Sequence, residues 1–293
     1  MKICVVGASG LLGEGFQRTS KNVKNEFIFC YAKNKIPNAV HLDITKEDMV
    51  KSFFQIHKPD VLINCSAITD PEFCEKNKSV ASNVNTLGAK RLAQACNNYG
   101  SYMIHVSTEY IFDGNNGPYH ENDTPKPISY YGQTKLESEK VVLKENQNFC
   151  VARASLLYGW SKNKQNLATM IISELRNNRQ VKLINDLQVS PSYTDNVAEM
   201  ILELAKLKIS GIFNVANSSI ITRYDFGMLL TEVFELNKSL IKSISVKDFH
   251  WEVPRPHKSG LLVEKISSIL RKKPLNVKEC LIRMREEEER KEC

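Results

Sequence analysis

The sequence predicts an α/β protein built on a doubly wound parallel sheet, and three observations support this prediction. Short apolar segments alternate with longer helical patterns through the first half of the chain. These segments are almost continuously apolar, which is typical of strands buried on both faces of a sheet. A glycine-rich turn follows the first of them and opens a helix. Such alternation indicates parallel strands covered by helices on both sides.

The alternating elements occupy about the first 160 residues. We predict strands over residues 2–6, 27–31, 60–64, 102–107 and 149–153. We predict helices over residues 11–20, 46–57, 79–99 and 130–145. Each helix is long enough to return the chain between two parallel strands.

The regularity weakens after about Leu156. We predict three further helices and one short strand, over residues 167–177, 194–207, 223–236 and 211–215. No Gly/Ser-rich or Pro-rich linker divides the chain, so we expect the later part to pack on the first. We therefore divide the chain into residues 1–160 and a smaller, interleaved α/β part over residues 161–293, some of whose segments return to the first.

Composition and charge limit the classes of ligand. The chain has 293 residues and a formal net charge of +7, which favours anionic ligands. Its basic residues are scattered without interleaved aromatics, so we expect no nucleic-acid partner. The apolar runs are too short for a membrane span and the opening KICVVG is unlike a signal peptide, so we expect a cytoplasmic protein with no membrane partner. The cysteines and histidines lack the spacing of metal ligands, so we predict no metal site.

The first predicted strand runs directly into the turn GASGLLG and then into a helix. Glycines let the backbone turn tightly and approach a diphosphate, while the helix presents unpaired N–H groups and the positive end of its dipole. This placement predicts a dinucleotide-binding turn, although a tight turn without a ligand is the alternative. The predicted cofactor-binding residues of the turn are Gly7, Ser9, Gly10, Leu11, Leu12 and Gly13.

The end of the second strand indicates which dinucleotide binds. An Asp or Glu is expected there if the adenosine ribose has a free 2′-hydroxyl, but the sequence has Lys33 and Lys35. Lys33 can bind a 2′-phosphate, so we expect NADPH with NADH as the alternative, unless both lysines are merely solvated. Asp43, which closes the third strand, can accept a hydrogen bond from the adenine amino group. A role as a helix N-terminal cap is equally open.

The segments STEYIFDG and YGQTK carry candidate catalytic residues. One helical turn places Tyr131 and Lys135 on the same face of a helix. An ammonium beside a phenol lowers the phenol's pKa, so that Tyr131 can donate and accept a proton near neutral pH. The hydroxyl of Thr108 can hold a carbonyl oxygen in line with the phenol. Together the three residues suit hydride transfer to a ketone.

These motifs also carry a family resemblance. The ordered combination of GxxGxxG, the segment NCSA, STEYIFDG and YxxxK resembles the extended short-chain dehydrogenases/reductases. Within that group, STEYIFDG, YYGQTKLESE, ARASLLYG, IFNVANSSIITRYDFG and RPHKSGL resemble the dTDP-4-dehydrorhamnose reductases. The resemblance covers about residues 1–270.

The resemblance implies a Rossmann-type NAD(P)-binding domain with the catalytic residues over residues 1–160, and a mainly substrate-binding part over residues 161–293. It implies that Tyr131 is the general acid and that Lys135 orients the nicotinamide ribose and lowers the phenol's pKa. The substrate contacts it implies are Ser107, Thr108 and Arg255, with Arg255 facing a diphosphate. The alternative for Arg255 is a surface arginine fixed between two prolines.

The same resemblance implies the rest of the cofactor site. Gly7, Gly10, Leu11 and Leu12 would hold the diphosphate. The adenine would lie against Asp43 and Ile44. The ribose and nicotinamide would lie along Cys65, Ser66 and Ala67.

Two positions depart from the family pattern. Glu109 stands where these reductases often have Asp, which changes length but not charge. Leu156 stands where they often have Trp, whose ring can stack on a base or sugar. Leucine is also found there in a close relative, the regulatory beta subunit of methionine adenosyltransferase. The nucleotide specificity therefore stays open.

The resemblance implies reduction of the 4-keto group of a nucleotide-activated deoxysugar by NADPH or NADH. The reaction in the named group converts dTDP-4-dehydrorhamnose to dTDP-L-rhamnose. An alternative is an NADP-binding regulatory subunit that resembles methionine adenosyltransferase beta. A second alternative, a sugar-nucleotide epimerase with tightly held NAD, is disfavoured because no acidic residue follows the second strand. We expect a monomer or a homodimer.

Overall fold

The computed structural model of the chain describes residues 1–248 and 251–292. The strands are β1 Lys2–Val6, β2 Glu26–Tyr31, β3 Val40–His41, β4 Val61–Asn64, β5 Tyr102–Thr108, β6 Cys150–Ala154, β7 Leu157–Tyr158, β8 Val181–Ile184, β9 Gln188–Val189, β10 Ser192–Tyr193, β11 Gly211–Asn214, β12 Ile221–Thr222 and β13 Ile241–Ile244. The helices are α1 Leu11–Thr19, α2 Glu47–His57, α3 Pro71–Lys76, α4 Lys78–Ser82, α5 Ala89–Tyr99, α6 Tyr130–Glu145, α7 Leu167–Arg176, α8 Thr194–Leu207, α9 Arg223–Phe234, α10 Glu264–Ile269 and α11 Val277–Glu292.

Seven parallel strands form the central sheet, in the order β11-β6-β5-β4-β1-β2-β3. The chain moves outward from β1 through β2 and β3, then returns to place β4 on the other side of β1. This arrangement confirms the predicted doubly wound parallel sheet. In such sheets a ligand crevice forms at the carboxyl ends of the strands on either side of the reversal.

Helices cover both faces of this sheet. On one face, α8 packs through Val197, Ile201 and Leu204 into the core that contains Ile3 and Val5 of β1. On the other face, the core is built from α2 and α5 against the opposite side chains of the same strands. Because both faces are covered, the strands are mostly apolar, as the sequence indicated, with buried polar residues such as Asn64, His105 and Arg153 as exceptions.

The later part of the chain forms three two-stranded sheets with α7, α9 and α11 packed around them. The pairs are β7 with β10, β8 with β13, and β9 with β12. A separate core joins the helices to these pairs. The strand β11 leaves this part and pairs with β6 at the edge of the central sheet. No helix in the described residues is both long enough and apolar enough to span a membrane.

One predicted helix is interrupted. The pattern over residues 79–99 predicts a continuous helix, whereas the structure has α4, a π-helical turn over Asn83–Gly88, and α5. Within this turn, the Asn85 side chain accepts from the Ile68 main-chain N–H and donates to the Thr134 hydroxyl. The wider turn therefore carries an amide that ties the segment after β4 to α6.

The helix α6 buries a polar face. Its buried residues at helical spacing include Tyr131, Lys135, Ser138 and Glu139. The Glu139 carboxylate accepts two hydrogen bonds from the Arg153 guanidinium of β6, at 3.1 Å from Nε and 2.8 Å from Nη2. Both side chains are almost fully buried, so this fork-shaped ion pair fixes α6 against the sheet.

We expect Arg153→Met to lower the free energy of unfolding by about 3–5 kcal/mol, because it leaves the buried Glu139 carboxylate without its counter-charge. Urea unfolding measures the change. Arg179→Met is the matched control, since Arg179 pairs with Glu174 on the exposed surface and should not move the unfolding midpoint measurably. Equal midpoints for the two variants would contradict the role given to the buried pair.

Candidate active site

A cavity of about 380 Å³ opens at the carboxyl ends of β1, β4, β5 and β6 and is closed from the other side by the later part of the chain. The glycine-rich turn contributes Gly7, Gly10, Leu11, Leu12 and Gly13 to its lining. The strand ends and α6 contribute Cys65, Ala67, Ser107, Thr108, Tyr131 and Lys135. Leu156 contributes from the segment after β6, and the later part contributes Arg223 and Arg255. The fold thus brings most of the predicted site residues together.

The predicted site residues Ser9, Lys33, Asp43, Ile44 and Ser66 lie outside this lining. Lys33 is exposed in the bend after β2, and Ser9 is half-buried within the glycine-rich turn. Ile44 is buried in the core below the sheet. Their positions lie along the carboxyl edge of the sheet that continues from the cavity.

Asp43 does not cap a helix. Its carboxylate accepts hydrogen bonds from the main-chain N–H and the hydroxyl of Thr45, at 2.9 and 2.7 Å. The helix α2 begins four residues later, at Glu47, and Lys46 at its N-terminal boundary makes no side-chain cap. The carboxylate instead stabilises the turn after β3, which excludes the capping alternative and leaves the adenine contact as a prediction.

The glycine-rich turn fits a diphosphate. Gly7 has φ +81°, and a Cβ there would lie 2.8 Å from the Ser66 nitrogen, so only glycine allows this approach of the β1 turn to the end of β4. A Cβ on Gly13 would lie 2.5 Å from the Gly7 carbonyl oxygen. Gly10 precedes α1 without a side-chain cap in the described structure, so the first N–H groups of the helix are available to an anion.

Tyr131 is buried at the floor of the cavity, where its ring meets the Tyr110 ring edge-on at 5.4 Å between centroids. Burial raises the pKa of Tyr131, the charge of Glu109 adds to the rise, and a hydrogen bond with Thr108 opposes it. The net shift is opposite to the lowering predicted from Lys135. The phenol therefore holds its proton at neutral pH.

Lys135 is buried and donates a hydrogen bond to the Val106 carbonyl oxygen at 2.8 Å. Burial lowers the pKa of Lys135 to about 8, although the charge of Glu139 opposes the shift. Its ammonium is thus directed toward β5 by the main chain. The lysine loses its charge more readily than an exposed one does.

Glu109, the first departure from the family pattern, accepts a hydrogen bond from the Thr108 hydroxyl at 2.8 Å through Oε2. Its Oε1 accepts from the Leu156 main-chain N–H at 3.4 Å. Burial raises the pKa of Glu109, while these hydrogen bonds lower it. The carboxyl therefore joins the end of β5 to the segment that carries Leu156, the second departure.

Arg255 lies in the cavity and not on the surface. Its side chain is 10% exposed and donates to the Glu72 carboxylate at 2.5 Å. Its guanidinium carbon lies 5.6 Å from the centroid of the Trp251 ring. The alternative of a surface arginine fixed between two prolines is therefore wrong, because the guanidinium turns inward to these partners.

Sequence reasoning missed Arg223, which begins α9 and lines the same cavity. Its guanidinium carbon lies 5.7 Å from the Trp251 ring, so two arginines flank one indole. Burial lowers the pKa of Arg223, and the nearby charge of Arg255 adds to the shift. A cation in the first turn of a helix opposes the helix dipole, and this was the available signal in the sequence.

Several buried polar atoms of the cavity make no hydrogen bond within the described residues. They are Ser107 Oγ, Arg223 Nε, Arg255 Nη1 and Ser259 Oγ. Buried polar atoms are normally paired, so such a group indicates a place where a polar ligand binds. The donors from the two arginines favour an anion.

Lys164 bridges the mouth of the cavity, since its Nζ donates to the Thr69 hydroxyl at 3.0 Å. The preceding loop is held by Glu14 of α1, whose carboxylate accepts from the Ser161 hydroxyl and the Lys162 main-chain N–H. The two parts of the chain therefore meet over the glycine-rich turn. Across the described ranges, no group of three or more His, Cys, Asp or Glu residues is arranged to hold a metal ion.

Comparisons with known proteins agree with this geometry. The model of the RmlD substrate binding domain family matches residues 1–289. The probable low-salt glycan biosynthesis reductase Agl14 of Haloferax volcanii is 34% identical over 273 residues, which cover 91% of each chain. Methionine adenosyltransferase 2 subunit beta of Xenopus tropicalis is 29% identical and covers 90% of this chain and 81% of its own. The crystal structure of a dTDP-4-dehydrorhamnose reductase from Clostridium acetobutylicum has a TM-score of 0.88 and 29% identity over 99% of this chain and 100% of its own.

Proposed function

The chain belongs to the RmlD substrate binding domain family, and on that premise we propose that it is an NAD(P)H-dependent reductase of the 4-keto group of a nucleotide-activated deoxysugar. The observation that carries the proposal is the convergence of Thr108, Tyr131 and Lys135 with the glycine-rich turn in one cavity. The likeness to the Clostridium acetobutylicum reductase supports dTDP-4-dehydrorhamnose as the substrate, with dTDP-L-rhamnose as the product.

The residues of the chain divide the cofactor's binding between them. The glycine-rich turn and the start of α1 would hold the diphosphate through main-chain N–H groups. Cys65, Ser66 and Ala67 follow β4 toward the catalytic residues, and Lys135 lies next to them to bind the nicotinamide ribose. When bound, the reduced nicotinamide supplies the hydride.

Tyr131 supplies the proton. Because burial keeps the phenol protonated, Tyr131 releases its proton only to an oxygen that has become strongly basic, such as the carbonyl oxygen as hydride reaches C4. Thr108 lines the cavity with this phenol, and its hydroxyl, which donates to Glu109 in the structure, would turn to donate to the carbonyl oxygen of the bound ketone. The Lys135 ammonium stabilises the resulting phenolate. The ketone gains one hydride and one proton and becomes an alcohol.

Arg223 and Arg255 bind the diphosphate of the substrate. Both line the cavity from the later part of the chain, and each has one buried N–H donor without a partner in the described structure. A diphosphate accepts hydrogen bonds from both guanidinium groups and balances their mutual repulsion. Leu156 lines the same cavity, where its side chain would contact the sugar or the base.

A regulatory subunit is the second candidate, favoured by the likeness to the methionine adenosyltransferase 2 beta subunits. The two candidates share the same motifs, so our preference for the enzyme rests on the likeness to the Haloferax volcanii reductase and to the Clostridium acetobutylicum reductase. The regulatory candidate would be supported if a pull-down with this chain retrieves a synthetase whose kinetics the chain changes. The chain would then also oxidise no NADPH with any nucleotide 4-ketosugar.

We expect Tyr131→Phe to slow NADPH oxidation with dTDP-4-dehydrorhamnose by about 10²–10⁴-fold, because it removes the proton donor and keeps the ring. Tyr130→Phe is the matched control, since this neighbouring tyrosine on α6 lies outside the cavity lining. Absorbance of NADPH follows the reaction. A Tyr131→Phe enzyme with the full rate would contradict the proposed proton donor.

Arg223→Met should weaken the binding of thymidine diphosphate, used as a probe of the substrate's nucleotide, by about tenfold or more. A hydrogen bond to a charged group contributes about 1.5–3 kcal/mol, and 1.4 kcal/mol corresponds to tenfold in affinity. Titration calorimetry measures the change, with circular dichroism to check folding. Arg179→Met, remote from the cavity, should bind as the unchanged protein does. Equal affinity in all three proteins would exclude Arg223 from the diphosphate site.

In our proposal Lys33 determines the preference for NADPH over NADH. It lies in the bend after β2, where an enzyme that prefers NADH would have an Asp or Glu for the ribose 2′-hydroxyl. We expect Lys33→Ala to raise the KM for NADPH by about tenfold and to leave the KM for NADH nearly unchanged. Lys35→Ala, a second exposed lysine in the same bend, should change neither value as much. Equal changes for both cofactors would contradict the assignment, and NAD retained through purification would favour an epimerase.

A further inference from the structure

A chain of buried polar groups runs beneath the cavity, from the end of β4 to α6. It contains Ser66, Asn64, His105, Ser138 and Lys135. Asn64, His105, Ser138 and Lys135 are each at most 2% exposed. The proposed reaction uses Lys135 but assigns no role to the imidazole of His105 beside it.

The Asn64 amide has one allowed orientation. Its Oδ1 lies 3.1 Å from the Ser66 main-chain nitrogen, which can only donate, so the oxygen must face that N–H. The Ser66 hydroxyl donates to the same oxygen at 2.5 Å. The Nδ2 group of Asn64 must then point the other way, where it lies 3.1 Å from His105 Nδ1.

This orientation fixes the tautomer of His105. Because Asn64 Nδ2 can only donate, His105 Nδ1 must accept, and the ring proton of the neutral imidazole resides on Nε2. His105 Nε2 lies 2.8 Å from the Ser138 hydroxyl, whose own proton goes to the Lys135 carbonyl oxygen at 2.6 Å. Every donor therefore meets an acceptor, from the Ser66 main chain to the Lys135 main chain.

The same Nε2 atom lies 3.2 Å from Lys135 Nζ. We propose that His105 is a positioning residue whose Nε2 proton is donated to Ser138, so that Nε2 offers no lone pair to Lys135 and the lysine's charged form lacks a hydrogen-bond acceptor on this side. The ammonium then takes the Val106 carbonyl oxygen as its acceptor on β5. Its remaining N–H groups are left for the cavity.

The other groups around Lys135 set the background against which His105 acts. Glu139 lies one turn further along α6 and favours the charged lysine, while Cys65 faces it from the end of β4. Tyr131 lies one turn before it and is protonated. Burial lowers the pKa of His105 well below its ordinary value, and the charge of Lys135 adds to this shift, so the imidazole stays neutral.

Nitrogen-15 spectra of histidine-labelled protein test the tautomer directly. The His105 signals are assigned by their loss in His105→Gln. We expect Nδ1 to have the chemical shift of an unprotonated ring nitrogen and Nε2 that of an N–H. A proton on Nδ1, or on both nitrogens at neutral pH, would overturn the proposal. The experiment uses the intact chain without substrate, so its result is independent of the proposed reductase activity.

Asn64→Asp tests the control of Lys135. The carboxylate still accepts from Ser66 but replaces the Nδ2 donor with an acceptor, so the ring proton should move to Nδ1 and expose an Nε2 lone pair to Lys135. Hydrogen bonding to the charged form and the added carboxylate charge both raise the pKa of Lys135, read from the carbon-13 shift of its Cε. The part due to His105 is the rise beyond that which Asn64→Asp causes in a His105→Gln background. Ser138→Ala is the control, since it leaves Asn64 intact and should leave the tautomer unchanged.

A tautomer in Asn64→Asp that matches the unchanged protein would overturn the role of Asn64. A Lys135 pKa that stays the same although the ring proton moves would overturn the role of His105. The catalytic consequence rests on the proposed function. If Lys135 supports Tyr131, the rate falls as pH rises through the lysine's pKa, and this fall should occur at higher pH in Asn64→Asp. If the rate falls at the same pH in Asn64→Asp as in the unchanged protein, the effect of Asn64 and His105 on Lys135 has no part in catalysis.

Discussion

The ion pair between Arg153 of β6 and Glu139 of α6 determines where the polar face of α6 meets the sheet. Tyr131, Lys135 and Ser138 lie on that face at helical spacing, so their positions relative to β5 follow from this pair. A buried ion pair has little net stabilising value compared with apolar packing, but breaking it is costly. It therefore acts mainly as a constraint on geometry, which is what the active site needs.

Burial gives the site both its precision and its chemistry. The same low exposure that fixes Tyr131 raises its pKa, and the burial of Lys135 lowers the pKa of the ammonium. One group thus holds its proton strongly while its neighbour loses its charge easily. In our proposal the hydrogen bonds of Asn64 and His105 determine which imidazole nitrogen carries the proton beside Lys135. Residues that touch no ligand would then influence the charge of the lysine.

The sequence was sufficient for the features that depend on local periodicity. Apolar strands, the glycine-rich turn and the pairing of Tyr131 with Lys135 follow from spacing alone, and the structure has them together. The rise in the pKa of Tyr131 could not be predicted, because the burial that causes it depends on how α6 packs against the sheet. Arg223 was missed because α9 reaches the cavity only through the fold of the later part. The start of α2 was predicted to within one residue, but the contact of Asp43 with Thr45 depends on the conformation of the turn between β3 and α2, which the pattern does not specify.

The central claim is hydride delivery to C4 of a nucleotide-linked ketosugar in this cavity. The most direct test incubates the protein with dTDP-4-dehydrorhamnose and NADPH that carries deuterium at both C4 positions of the nicotinamide, and then locates deuterium in the products by NMR. The account expects one deuterium at C4 of the sugar, in a single configuration, with the other left in the oxidised cofactor and none in the solvent. A sugar product without label at C4 would contradict it.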